Sequence, residues 1–244
     1  MIKIFRLIRK QLLTENKFSK YLLYAIGEIV LVVIGILIAL QLNMWSDDLK
    51  AQVQYEGFTQ QLKVDVETAI NNAEVAAQYS REQSTRTHNI IDYLLDPKST
   101  IDFESYKEAM EMAGRYGIIV TNVGNLGKLL SGDLDDIYRN PALVRKVQEL
   151  QTKLLVKEEI TDRFTQKLEI YQGQVIEFSN RIELSNYPKQ GDASWINDIE
   201  ILKKSPQFME TIKNLQFYYR VYSNFGDKIA EDLKKFKEHL DTMK

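Results

Sequence analysis

Leu22–Leu42 reads LLYAIGEIVLVVIGILIALQL, an apolar stretch of 21 residues. A helix rises ~1.5 Å per residue, so ~20 residues cross the ~30 Å hydrocarbon layer of a membrane. The chain as a whole has 27% charged residues and a mean hydropathy of −0.31, values typical of a soluble protein. One apolar stretch in such a chain predicts a single membrane-crossing helix and argues against a multi-pass transporter.

The charges on the two sides of this stretch have opposite signs. Residues 1–20 have a net charge of +5, whereas residues 45–244 have a net charge of −6. Basic flanks stay in the cytoplasm, so the N-terminus is predicted inside and the larger region outside. An acidic region of this size also argues against binding to nucleic acid.

A cleaved signal peptide is the main alternative to a retained anchor. No A-x-A cleavage site follows the apolar stretch, and Asn43-Met44-Trp45 suits the headgroup zone of a membrane. We therefore predict three segments: a basic cytoplasmic segment over 1–20, a transmembrane helix over 21–44 and an extracytoplasmic domain over 45–244.

Glu28 is the one ionisable residue inside the apolar stretch. A charged side chain at the centre of a membrane helix costs about 2.5–3.5 kcal/mol, so an intramembrane carboxyl is a candidate functional group. Three interpretations stay open: a bond to a partner helix, solvation at the inner interface, or proton binding in an ion-driven complex. Gly27 and Gly35 are candidate helix-packing residues, although they do not form G-x-x-x-G.

Residues 24–43 together with Trp45 resemble an uncharacterised bacterial membrane-protein family, domain of unknown function 6090, frequent in Bacteroidetes. The shared pattern is Y-A-x-G-E-I-x-L-x-V-x-G-I-L-I-A-L-Q-x-N-x-W, followed by a looser likeness around Ser131-Gly132. The resemblance implies a single-pass protein of the bacterial inner membrane with a helical periplasmic region. It implies no activity.

The extracytoplasmic region has the periodicity of long helices. A first apolar face comprises Phe58, Leu62, Val66, Ala69, Ala73 and Ala76. A heptad seam then runs through Leu143, Val147, Leu150, Leu154, Lys157, Thr161, Phe164, Leu168, Tyr171, Val175, Phe178 and Ile182. A second seam comprises Phe208, Ile212, Leu215, Tyr219, Tyr222, Gly226, Ile229, Leu233, Phe236, Leu240 and Met243.

These faces predict an all-α fold: one N-terminal transmembrane helix, then an elongated antiparallel bundle of three long helices plus short ones. An intermolecular coiled coil is the alternative for the same pattern. Boundary signals are Asp96-Pro97, Asp102, Gly114, Thr121 as a cap, Asn140-Pro141, a loop over 186–195, and Ser205-Pro206.

An aromatic cluster surrounds Arg220. Tyr219 and Tyr222 belong to the seam, whereas Phe217 and Tyr218 lie beside it and widen the apolar face. Packing under a short helix or loop is the usual role of such residues, and a partner surface is the sharper alternative. Phe217 and Tyr218 are therefore candidate partner-surface residues.

Motifs for catalysis, metals or cofactors are missing from the sequence. The chain has no cysteine, and His88 and His239 are far apart without a zinc-binding spacing. Gly127-Lys128 lacks the glycine spacing and the Ser/Thr of a phosphate loop. We predict a protein that is not an enzyme and has no catalytic, cofactor-binding or metal-binding residues.

Three functions fit these observations. The first is a structural or interaction role, as a scaffold or accessory protein that contacts the lipid bilayer and a membrane-protein partner, or a second copy, through the transmembrane helix. The second is a ligand-sensing bundle that acts through a membrane partner. The third is an accessory subunit of a proton-driven complex that uses Glu28.

The bundle prediction can be tested without the anchor. We expect residues 48–244, expressed alone, to be soluble and mostly helical, because the three apolar faces cover one another. Circular dichroism checks this expectation, and a spectrum dominated by strand would contradict the bundle.

Overall fold

The computed structural model describes the backbone of residues 18–135, 137, 139–180 and 194–243, and the side chains of residues 22, 25–135, 137, 139–175 and 199–243. These residues form helices and no strand. The helices are α1 (Phe18–Leu95), α2 (Phe103–Met112), α3 (Gly124–Leu130), α4 (Pro141–Asn180), α5 (Ser194–Lys203) and α6 (Pro206–Thr242). The predicted all-α fold with three long helices is confirmed.

Helix α1 runs without interruption over 78 residues and ends at Leu95, where Asp96-Pro97 predicts an end. The chain divides into two compact units, Met1–Gly57 and Phe58–Lys244. The first contains the apolar stretch. The second contains the rest of α1 and all the later helices. The predicted basic segment 1–20 lies almost wholly outside the described residues.

The second unit is an antiparallel bundle of α1, α4 and α6. Contacts that join α1 to α6 run in opposite directions along the two helices: Lys63 pairs with Asp241, Glu74 with Lys234 and Arg81 with Asp227. Lys157 on α4 meets Asp232 on α6, and Gln174 accepts a hydrogen bond from Thr211. Helix α6 is therefore antiparallel to both α1 and α4.

The predicted seams form the core. Every predicted α6 position except Met243 is buried, as are the α1 positions from Leu62 to Ala76. The α4 positions are buried or half-buried up to Val175, whereas the side chains of Phe178 and Ile182 lie outside the described residues. Because one chain buries these seams, no second copy is needed to cover them.

Small residues bring α1 and α6 close together. A Cβ atom added to Gly226 of α6 would lie 2.9 Å from the Cβ of Ala77 and 3.1 Å from the carbonyl oxygen of Ala73. The face of α1 here consists of small alanine side chains, so close packing against it requires a position on α6 that has almost no side chain. Such close packing is typical of protein interiors, where even one extra methyl group disturbs the packing.

Three of the four predicted capping signals are confirmed. Asp102 accepts from the amide of Ser105, Asn140 from that of Leu143, and Ser205 from that of Phe208. A short helix, α5, lies between the predicted loop over 186–195 and the Ser205 cap. That loop lies outside the described residues except at its last two positions.

The prediction that Thr121 caps α3 is wrong. The residue before this helix is Val123, which makes no side-chain capping bond. The Thr121 hydroxyl instead donates to Oε1 of Glu158 on α4 at 2.6 Å. The hydroxyl therefore bonds to a carboxylate on a neighbouring helix and does not cap the backbone amides at the start of α3.

Replacing Gly226 by alanine should lower the free energy of unfolding by about 1–3 kcal/mol, because the new methyl group overlaps Ala77 and the Ala73 carbonyl. Gly173→Ala is the matched control. A Cβ at Gly173 meets nothing within 4 Å, so alanine there should raise the stability by about 0.5–1 kcal/mol through helix propensity alone. Urea titration followed by circular dichroism measures both changes, and equal effects would contradict the close approach.

Candidate functional site

The apolar stretch is uncovered by the rest of the described chain. Its side chains from Ile26 to Leu42 are largely exposed, with Leu31 at 73%, and an 18-residue window has a mean hydropathy of 2.6 with none of it buried. Among the described residues, α1 is the one helix long enough and apolar enough to cross a membrane. Length and composition are thus compatible with a membrane anchor.

Gly27, Glu28 and Gly35 lie on this part of α1. A Cβ atom added to either glycine meets nothing within 4 Å. The two glycines are seven residues apart, close to two turns of ~3.6 residues, so they share one face of the helix. Glu28 is partly buried and follows Gly27 directly. The chain therefore presents a small-residue face beside a carboxyl group.

Asp65 on α1 has a structural role that the sequence analysis missed. Its side chain is 5% exposed, and Oδ2 accepts the backbone N–H of Asn125 at 2.7 Å at the start of α3. Oδ1 accepts from the amide of Gln61 at 3.0 Å. The carboxylate thus takes the place of a capping residue and complements the positive end of the helix dipole.

Gly124 makes this contact possible. It has a φ of +46°, and a Cβ atom there would lie 2.5 Å from Oδ2 of Asp65. The signal available from sequence is an aspartate on an otherwise apolar helix face together with a glycine at the start of a short helix. Nothing in the spacing of residues 65 and 125 indicates that they meet.

Residues 113–123, here called the strap, connect α2 to α3 without helix or strand and are attached to the bundle by side-chain hydrogen bonds. Tyr116 donates to Oε1 of Glu169 at 2.8 Å, and the N–H of Ile119 donates to the Tyr222 hydroxyl at 3.3 Å. Burial, together with the Glu169 carboxylate, raises the pKa of Tyr116 to about 12. The phenol therefore stays protonated and remains a donor over the physiological range.

A groove of about 500 Å³ runs between the strap and α1. Asn71, Val75 and Tyr79 line it from α1, and Tyr116, Ile118 and Val120 line it from the strap. No charged residue contributes to the lining. Ile118 is 70% exposed and Val75 59% exposed. The groove is thus uncharged and carries exposed aliphatic side chains on both walls.

A second cavity, of about 320 Å³, lies between α4 and α6. Several of its charged residues form ion pairs: Asp232 contacts Lys157 and lies 3.6 Å from Lys153, and Lys146 lies 2.7 Å from Glu149. Asp232 also accounts for the polar position in the α4 seam, since the Lys157 side chain is only 19% exposed beside it. Ion pairs within the bundle thus line much of this cavity.

Phe217 and Tyr218 have different environments. Phe217 is 48% exposed. Tyr218 packs against Phe164 and Tyr171 of α4, with ring centroids 5.6 Å apart in each case. The rings of Phe217 and Tyr218 meet edge to face, with their centroids 5.4 Å apart. Tyr218 thus joins α6 to α4, and the exposed ring available to a partner is that of Phe217.

The two histidines do not come together. His88 lies 3.4 Å from Asp92 on the same helix, and His239 lies near the end of α6. No group of three or more His, Cys, Asp or Glu residues in the described part of the chain is arranged to hold a metal ion.

Comparison with known proteins gives one match. A family model described as "Family of unknown function (DUF6090)" matches residues 28–202. No curated protein and no solved structure matches the chain. The match begins at Glu28 and continues through α4 into α5, so the family pattern extends well beyond the apolar stretch.

Asp65→Ala should lower the free energy of unfolding by about 1–2 kcal/mol, because the partly buried N–H of Asn125 loses its acceptor. Glu67→Ala is the control, since Glu67 pairs with Lys237 at the surface and is 60% exposed. A change within about 0.5 kcal/mol is expected there. Urea titration compares the two variants, and equal losses would contradict the capping role of Asp65.

Proposed function

Since the chain belongs to the DUF6090 family, whose function is unknown, we propose its role from its own architecture. It is an interaction protein, a scaffold or accessory subunit, held in the bacterial inner membrane with its bundle in the periplasm. The observation that carries this proposal is the contrast between the two units. The bundle buries its own apolar seams, whereas the apolar stretch of α1 has no cover within the described chain.

Lipid is the cover that this stretch requires. Transfer of apolar surface from water is worth about 25 cal/mol per Å², and the exposed leucine, isoleucine and valine side chains of the stretch lie all around the helix. The basic segment before it and the acidic region after it support an N-terminus in the cytoplasm and a C-terminal bundle in the periplasm.

The small-residue face of Gly27 and Gly35 supports contact with a second membrane helix. Helices in lipid associate through close packing of small residues and through hydrogen bonds, since lipid supplies no hydrophobic force between them. Glu28 beside this face is suited to bond to a polar group of that helix. The partner is a membrane protein or a second copy of this chain.

A second candidate function rests on Glu28 alone. It is the one ionisable residue in the apolar stretch, and a carboxyl group at that depth can bind and release a proton. The chain would then be an accessory subunit of a proton-driven membrane complex. Packing and proton transfer make different demands on this residue, so substitution separates them.

Isolation of the tagged protein from native membranes in mild detergent tests the proposal. Glu28→Ala should reduce the recovered complex roughly fivefold, since a hydrogen bond between membrane helices is worth about 1 kcal/mol. Val30→Ala is the control, because residue 30 lies ~200° around the helix from residue 28. Recovery of the wild-type protein alone as a monomer would overturn the interaction role.

Glu28→Gln distinguishes the two candidate functions. Glutamine keeps hydrogen-bonding capacity without an ionisable proton, so complex recovery should be largely retained if Glu28 packs against a partner. If the complex is proton-driven, the same variant should assemble but lose its proton-dependent activity. Complex recovery and growth phenotype, measured on the same strain, report the two effects separately.

A further inference from the structure

We propose that the bundle binds an ordered water molecule between α1 and α6, held by the side-chain amide of Gln83 and the hydroxyl of Tyr219. The site is independent of the proposed interaction role, because both residues are buried within the second unit. Three observations carry the inference: a polar stripe on the core face of α1, buried polar atoms without partners, and the packing that brings Gln83 towards Tyr219.

The core face of α1 becomes polar in its middle part. Ser80, Gln83 and Thr87 follow one another at helical spacing, and each is 0% exposed. The Ser80 hydroxyl donates to the carbonyl of Ala76, and the Thr87 hydroxyl donates to the carbonyl of Gln83. Bonds within α1 therefore satisfy the two hydroxyl donors and leave the Gln83 side chain as the polar group that needs another partner.

Gln83 and Tyr219 have buried polar atoms without partners. Within the described part of the chain, Nε2 and Oε1 of Gln83 make no hydrogen bond, and neither does the hydroxyl of Tyr219, which is also 0% exposed. Burying a polar group without a hydrogen bond is costly, so such groups in native proteins are nearly always paired with protein or with ordered water. An unpaired amide and an unpaired hydroxyl in the same core therefore indicate a bound polar molecule.

The register of α1 and α6 places Gln83 opposite the part of α6 that contains Tyr219. Helix α1 approaches α6 closely at Gly226. Towards the other end of this segment, the Ser84 hydroxyl donates to the carbonyl of Gln216 at 3.4 Å. Gln83 and Tyr219 both lie between these two contacts, so their side chains share the buried space between the helices.

The strap supplies a third polar group. Burial raises the pKa of Tyr219, and the backbone of Gly114 and the side chain of Tyr79 lie close enough to its hydroxyl to affect that pKa. Gly114 is the second residue of the strap, and Tyr79 lies one helical turn before Gln83. The hydroxyl is therefore close both to α1 and to the strap. A water molecule here has about three polar groups around it, the usual number for buried water.

The chemistry and the size of the site favour water over other ligands. The Gln83 amide offers both donors and an acceptor, and the Tyr219 hydroxyl both donates and accepts. Water bonds to either group in either direction. Neither of the two cavities described above has Gln83 or Tyr219 in its lining, so the structure indicates no space here for a larger molecule.

Oxygen-17 magnetic relaxation dispersion counts the water molecules that stay inside a protein long enough to tumble with it. With the full chain in lipid nanodiscs, the double variant Gln83→Leu/Tyr219→Phe should lose the signal of about one such molecule, and Tyr219→Phe should reduce that signal. Gln60→Leu, at an exposed position of α1, is the matched control and should keep the wild-type signal. An unchanged signal in both test variants would overturn the proposal.

Thermal melting tests whether the two groups act through one water molecule. Gln83→Leu and Tyr219→Phe should each lower the melting temperature by about 2–4 °C, because each removes one partner of the water. The double variant should lose less than the sum of the two, since both changes act on the same molecule. A higher melting temperature in Gln83→Leu would identify a dry, unpaired amide, and additive losses would identify two independent groups. Either result would overturn the proposal.

Two further outcomes are also decisive. A direct hydrogen bond between Gln83 and Tyr219 would couple the two variants in melting but leave the relaxation signal unchanged, and would refute the water site. Tyr219→Phe removes a single oxygen atom and keeps the ring. Its relaxation signal therefore decides the question if the double variant does not fold, and an unchanged signal would then overturn the proposal.

Discussion

The bundle depends on the close approach of α1 to α6 at Gly226. Because this position has no side chain, the alanine face of α1 lies against the α6 backbone, and the register of the two helices is fixed there. The flanking ion pairs of Lys63, Glu67, Glu74 and Arg81 with α6 follow that register. These pairs are mostly exposed, and each contributes little stability. They therefore follow from the register of the two helices and do not determine it. The packing of small residues supplies the specificity.

The position of the strap depends on the same packing of the long helices. Its attachments to Tyr222 on α6 and to Glu158 and Glu169 on α4 exist because the two helices hold these side chains within hydrogen-bonding distance of it. Gly117 completes the fit, since a Cβ there would lie 3.3 Å from the Cα of Ala76. Stable helices thus hold an irregular segment in place through side-chain hydrogen bonds and close packing. Functional surfaces are often built in this way, on loops positioned by a rigid scaffold.

The long helices could be predicted from sequence and the contacts between them could not. Heptad spacing identified the buried positions of α6, and local signals such as Asp96-Pro97, Asn140-Pro141 and Ser205-Pro206 identified helix boundaries, because these depend on neighbouring residues. The cap of α3 comes from Asp65, 60 residues before the amide that it accepts from. Local sequence favours Thr121 for that cap, whereas the acceptor of the Thr121 hydroxyl lies 37 residues away. The groove needs α1 and the strap together, so no local pattern indicates it.

The antiparallel placement of α6 has a consequence for how the protein is made. Helices α1 and α4 leave the ribosome before α6, yet α6 covers the seams of both, and Arg81 meets Asp227 across 146 residues of chain. Contacts of such long sequence separation close slowly, because the intervening chain has to be ordered first. Until α6 emerges, it cannot cover the core faces of α1 and α4. The bundle is therefore completed only after α6 has been made.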